Sequence, residues 1–288
     1  MTLLHVIILA IVQGLAELLP VSSSAHVIVA EKLMGLDPSA PEMTLLLVML
    51  HTGTMFAVIV YFWPRWRRAF FENMADFKSF FAALILATVL TGIIGGGLVE
   101  AIEKLAFRHS EHAWIEQWFS RLSLIAPALA AAGLLILWAS WHERRAMRDE
   151  KSGAAINSRQ AAWIGAIQGL CLPFRGFSRS GATISTGMIT GVAKRRAEDF
   201  SFALAVVITP PAIAREMWRL VKMQHIHSGT VLASAVMPSV LGLFFAFIAG
   251  LVALKWLSSW LESGKWYIFG IYCLFAACGL VALHHFGY

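Results

Sequence analysis

The feature that most constrains this chain is a set of long stretches without a charged residue. Residues 44–63, 80–99, 122–141 and 230–254 contain no Asp, Glu, Lys or Arg, and each matches the roughly 20 helical residues that cross a ~30 Å hydrocarbon core. Residues 266–283 form a slightly shorter uncharged run. Residues 200–214 reach spanning length with their polar flanks, and Pro210 and Pro211 predict a kink there. Six transmembrane helices are therefore expected. A chain that is 58% hydrophobic, only 14% charged and has a mean hydropathy of +0.70 is not a water-soluble domain, and the lipid bilayer is its expected solvent.

Positive residues near helix ends tend to remain cytoplasmic. The segment with Arg65, Arg67, Arg68 and Lys78, and the one with Arg144, Arg145, Arg148, Lys151 and Arg159, are read as cytoplasmic. Between them, Glu100, Glu103, Glu111 and Glu116 outnumber Lys104 and Arg108, which marks an external segment. Counting spans from there places both termini outside. The net charge of +6 then describes loops near anionic lipid, and its scatter around spans argues against nucleic acid as a partner. Residues 1–16 are apolar but lack a basic leader and a small-residue cleavage pattern, so they are read as part of the mature protein. Cys171, Cys273 and Cys278 lack metal-ligand spacing and form an odd set, which favours core packing over a disulfide framework. His225, His227, His284 and His285 are read as surface residues, Arg215, Glu216 and Arg219 as a solvated helix end, and the tryptophans as interfacial belts.

Two apolar regions are shorter and interrupted. Residues 1–36 break at Leu19-Pro20-Val21-Ser22-Ser23-Ser24, and residues 161–193 break at Pro173-Phe174-Arg175-Gly176-Phe177-Ser178-Arg179-Ser180-Gly181. Neither side of either break is long enough to span, so each region is read as a re-entrant helix pair. Ala10-Ile11-Val12-Gln13-Gly14-Leu15 is echoed by Gly165-Ala166-Ile167-Gln168-Gly169-Leu170. Each copy precedes three spans, and an odd number inverts the second copy. The fold class expected is an all-α polytopic membrane protein in a single membrane domain: six transmembrane helices plus two re-entrant pairs in an inverted-topology repeat. Repeat one covers about 1–141, a cytoplasmic linker about 142–160 and repeat two about 161–288. Such repeats bring broken-helix tips together at membrane depth, where irregular backbone must line a cavity or be buried in protein.

The breaks carry complementary chemistry. Gln13 and Glu17 are four apart and share a helix face; Ser22, Ser23, Ser24 and His26 follow Pro20. Ionisable groups at membrane depth are costly and point to function. In the second break, Arg179 stands between Ser178 and Ser180, with Gly176 and Gly181 around them and Thr183 near an expected helix start. Converging N–H groups, a helix N-terminus and a guanidinium outline a phosphate cradle. The bland alternatives are an interfacial Glu17, a core His26 and an ordinary cytoplasmic arginine at 179. Carboxylate, histidine, hydroxyls and arginine together suffice for phosphoryl transfer, and a carboxylate near phosphates favours a divalent cation between them. His51, beside Gly53 and Thr54 inside a span, is read chiefly as structural, with the same cavity as its alternative.

Gln13-Gly14-Leu15-Ala16-Glu17-Leu18-Leu19-Pro20-Val21-Ser22-Ser23-Ser24-Ala25-His26 and Gly176-Phe177-Ser178-Arg179-Ser180-Gly181-Ala182-Thr183 resemble the two signature motifs of bacterial undecaprenyl pyrophosphate phosphatases of the bacitracin-resistance type. The likeness runs over nearly the whole chain, including Phe200-Ser201-Phe202. It implies an inner-membrane enzyme, dependent on a divalent cation such as Mg2+ or Ca2+, that removes one phosphate from undecaprenyl diphosphate and recycles the carrier for peptidoglycan synthesis. The resemblance maps catalytic roles onto Glu17, Ser23, His26 and Arg179. Phosphate binding is expected from Ser22, Ser24, Arg175, Gly176, Ser178, Ser180, Gly181 and Thr183, and metal binding from Glu17 with Gln13. Two departures stand out. Gln13 occupies a position where the family usually has a second glutamate, and Arg175 stands where it usually has proline, with Pro173 upstream. Whether Ser23, His26 or water is the nucleophile stays open, as does a homodimer. The rival reading is a transporter of polyprenyl phosphate or another anionic lipid, because inverted repeats with broken helices are transporter architecture.

Overall fold

The computed structural model describes residues 2–37, 40–70, 72–106, 121–146, 156–224 and 230–286. Arg108, Glu111, Glu116, Arg148, Lys151, His225 and His227, all used in the charge and surface readings above, lie outside the described residues. Ten helices and no strands occur among the described residues. In chain order they are α1 (Leu3–Leu18), α2 (Ser23–Leu33), α3 (Pro41–Phe70), α4 (Met74–Ala106), α5 (Leu122–Ala146), α6 (Ser158–Cys171), α7 (Arg179–Ile189), α8 (Lys194–Gln224), α9 (Thr230–Glu262) and α10 (Tyr267–His285).

Six of these, α3, α4, α5, α8, α9 and α10, are long and apolar enough to cross a bilayer, and the chain is a multi-pass membrane protein. They extend past the uncharged runs because charged residues continue the helix once it leaves hydrocarbon. Arg65, Arg67 and Arg68 therefore sit on α3 and not in a loop. Helix α3 continues through Pro64, and α8 through Pro210 and Pro211; neighbouring helices make such interruptions tolerable in a membrane.

The four short helices have local causes. Thr2 caps α1 by accepting the His5 N–H, and α1 stops at Leu19, whose extended ψ of 151° suits the residue before Pro20. Helix α6 starts with a capping box between Asn157 and Gln160, and Ser178 caps α7. At 1.5 Å per residue, α1 is about 24 Å long, α6 about 21 Å and α2 and α7 about 16 Å each, all short of the hydrocarbon thickness.

The packing is reciprocal. Helix α1 lies along α9, in the second half of the chain, while α6 lies along α4, in the first; α3 pairs with α9 and α5 with α10. The echoed glycines make these crossings close. A Cβ on Gly14 would stand 2.6 Å from Ala249 Cβ and 2.8 Å from the Ala246 carbonyl, and one on Gly169 would stand 2.9 Å from Ile94 Cβ and 3.1 Å from the Gly95 nitrogen. A buried ion cluster ties the halves at another level. Arg65 of α3 pairs with Glu198 at 2.9 Å and Asp199 at 2.8 Å on α8, and Ser258 of α9 donates to Glu198 at 2.5 Å. Of the cysteines, Cys273 is buried and Cys171 half-buried, whereas Cys278 is exposed on α10 and does not pack in the core.

Candidate active site

The last turn of α1 places Glu17 where the two breaks meet. Its Oε1 accepts from Arg179 Nη2 at 2.6 Å. Its Oε2 accepts from Ser23 Oγ at 2.5 Å and from Gln13 Nε2 at 3.3 Å. His51 Nε2 lies 3.8 Å from the same oxygen. The Glu17 side chain is 15% exposed and that of Arg179 25%, so the pair is neither fully solvated nor sealed. Removing one partner of a buried ion pair leaves an uncompensated charge and costs about 3–5 kcal/mol, with some discount for the exposure found here.

Other bonds stitch the breaks together. The Gly176 N–H donates to Ser24 Oγ at 3.3 Å, with Gly176 at φ 101°, and Ser180 Oγ donates to the Leu19 carbonyl at 3.3 Å. Ser22 Oγ lies 3.3 Å from Ser24 Oγ. Ser178 is spent on its own helix, accepting the Gly181 N–H at 3.2 Å. Several groups assigned to a phosphate cradle from sequence thus hold one break against the other. Because the helix begins at Arg179, its positive end and the guanidinium coincide. Thr183 is the fifth residue of α7, not its start; it is fully buried, and its hydroxyl meets the Arg179 carbonyl at 2.8 Å and Ser201 Oγ at 2.5 Å. Arg175 interacts electrostatically with Glu31, a buried carboxylate of α2.

A cleft opens beside Glu17 and Arg179, lined also by His51 and Thr54 of α3 and Thr209 of α8. The structure therefore brings Gln13, Glu17, Ser23 and Arg179 into one bonded group. It adds His51, whose Nδ1 is held 2.8 Å from the Leu47 carbonyl so that Nε2 faces Glu17. The one sequence hint for His51 was a histidine beside Gly53 and Thr54 in an otherwise apolar run. His26 takes a different position, with its ring nitrogens 2.7 Å from the Ser22 carbonyl and 2.6 Å from the Tyr272 hydroxyl. No motif or spacing singled out Tyr272, an aromatic in an apolar helix.

Among the described residues no group of three or more His, Cys, Asp and Glu side chains could hold a metal ion. The local donors for a cation are the Glu17 carboxylate and the Gln13 amide oxygen. That set fits Mg2+ or Ca2+ only with substrate phosphate oxygens completing the shell, a mode that Mg2+ sites with one or two carboxylates use.

The chain matches the family described as Bacitracin resistance protein BacA over residues 6–279. It belongs to that family. It is 56% identical over 277 residues to Undecaprenyl-diphosphatase 2 of Acinetobacter baylyi, covering 95% of each chain. It is 32% identical over 287 residues to Undecaprenyl-diphosphatase 2 of Burkholderia ambifaria, covering 96% of this chain and 95% of that one. It is 33% identical over 297 residues to Undecaprenyl-diphosphatase 1 of Burkholderia pseudomallei, covering 99% and 98%.

Proposed function

We propose that this BacA-family chain hydrolyses undecaprenyl diphosphate to undecaprenyl phosphate and orthophosphate, recycling the lipid carrier for cell-wall synthesis, at one composite site built from both breaks. The observation that carries the site assignment is the Glu17 carboxylate held between Ser23 and Arg179. A hydroxyl donating to a carboxylate is the arrangement of a nucleophile with its base. In this reading Ser23 Oγ attacks the terminal phosphorus while its proton passes to Glu17. The bond from that phosphorus to the bridging oxygen breaks, and undecaprenyl phosphate leaves. Water then attacks the phosphoserine with its proton taken by His26, orthophosphate departs, and Ser23 recovers a proton from Glu17. Arg179 turns from Glu17 towards the phosphate as negative charge gathers there. A divalent cation held by Glu17 and the Gln13 amide oxygen would supply further charge neutralisation on the diphosphate.

The same proposal places the protein in the bacterial inner membrane with both termini outside and each short pair, α1 with α2 and α6 with α7, entering and leaving from one side. The lengths of the short helices support this, as does the reciprocal packing of repeat one, about 1–141, with repeat two, about 161–288. The test is orthophosphate release from undecaprenyl diphosphate by purified protein in detergent, with and without chelator, alongside Arg179→Ala. Release that the variant loses supports the assignment. Movement of labelled lipid between leaflets without release would replace it with the transport reading.

A further inference from the structure

We propose that Tyr272 is a positioning residue that sets the working state of His26; this rests on the reading of His26 as the proton carrier. Ser22 is the only non-glycine residue with a positive φ, 67°, among the described residues, a conformation that costs energy and persists where surrounding structure enforces it. This turn at the break leaves the Ser22 carbonyl 2.7 Å from His26 Nδ1. A carbonyl only accepts, so Nδ1 carries the hydrogen, and in the neutral ring Nε2 is left as the basic nitrogen. The Tyr272 hydroxyl sits 2.6 Å from Nε2 and donates to it.

The two rings are nearly parallel, 14° apart with centroids at 5.7 Å, so the tyrosine restrains both the position and the tilt of the imidazole. The contact is built into the fold. The next residue of α10, Cys273, is fully buried and its Sγ donates to the Pro20 carbonyl at 3.3 Å. Successive residues of α10 thus grip the first break on both sides of Ser22, across the whole length of the chain. A phenol suits this task because its hydroxyl donates to a neutral imidazole and accepts from a protonated one. The ring keeps its orientation while the proton taken from water reaches Nε2 through the Tyr272 hydroxyl, which accepts that proton on oxygen as its own hydrogen passes to the ring, and is later returned by the same route. Phenylalanine would leave the ring in place on α10 and remove only the hydroxyl.

The experiment compares Tyr272→Phe, His26→Gln and the double variant in orthophosphate release from undecaprenyl diphosphate, measuring kcat and KM separately. Tyr272→Phe is expected to lower kcat about tenfold, a part of the roughly 100-fold or more supplied by general acid–base catalysis, with KM changed less than twofold. Adding it to His26→Gln is expected to cost nothing more. An unchanged kcat in Tyr272→Phe while His26→Gln is impaired overturns the inference and leaves the role of His26 standing. An equal loss in both backgrounds also overturns it, since that is a packing effect. Wild-type turnover in His26→Gln sinks the proton-carrier reading itself. Nitrogen-15 NMR of labelled histidines in the wild-type protein gives a check independent of variant folding. An Nδ1–H tautomer at His26 is expected, and an Nε2–H tautomer would overturn the proposal.

Discussion

The two breaks are built from the same short phrase and do different work. Gln13 and Gln168 occupy equivalent places before Gln-Gly-Leu turns into a break, both are 1% exposed, and the glycine after each lets its helix press against a long helix of the other half. Four residues on, the first copy has Glu17 and the second Leu172. Gln13 therefore donates to a carboxylate, whereas neither side-chain atom of Gln168 has a hydrogen-bond partner among the described residues. The mechanical role of the phrase is duplicated while its chemistry is divided. One break supplies carboxylate and hydroxyl, the other supplies the cation, and they converge on a single site.

That division predicts the largest effect from the side chain of the second break that reaches Glu17. Arg179→Ala is expected to reduce orthophosphate release by about 100-fold or more, in the range for loss of one charge-stabilising donor. Glu17→Gln is expected to be comparably impaired, and the double variant far less than the product of the two, because the residues act as a unit. Activity surviving in Arg179→Ala would break the composite site.

The mechanical half of the comparison predicts symmetry. Gly14→Ala and Gly169→Ala each put a methyl group within 3 Å of the facing helix and are expected to lower stability by similar amounts, about 1–3 kcal/mol, as overpacking does. Thermal unfolding in detergent measures this, and a large inequality would show that the crossings are not equivalent. Smaller still is the effect expected at the glutamines. Gln168→Leu removes a buried unpaired amide and should be neutral or stabilising by no more than about 1 kcal/mol, with phosphate release unchanged. Gln13→Glu places a second carboxylate beside Glu17 and should lower the divalent cation concentration needed for half-maximal activity; an unchanged cation requirement would remove Gln13 from the site.

Much of the scaffold was legible because its signals are local. Uncharged runs report what a bilayer dissolves, Pro20 marks where a helix stops, and Glu17 is conspicuous as a carboxylate in an apolar stretch, whereas the start of α7 was expected near Thr183 and not at the Ser178 cap that sets it. The elements read from these signals were placed well, but their ends were not: α3 carries Arg65 onto the helix and into a buried cluster with Glu198 and Asp199. Hydropathy registers the edge of the hydrocarbon, and backbone hydrogen bonding does not end there.

Sequence by itself determined the six long apolar helices, the two breaks and the chemical inventory at each, since all follow from preferences of residues near one another in the chain. Tertiary structure alone decided that Glu17 meets Arg179, that His51 faces the same carboxylate, that Thr183 is buried against Ser201, and that Tyr272 reaches His26. Those meetings depend on where helices cross and how closely glycines let them approach. A crossing joins residues far apart in the chain, and no periodicity along a single helix encodes it.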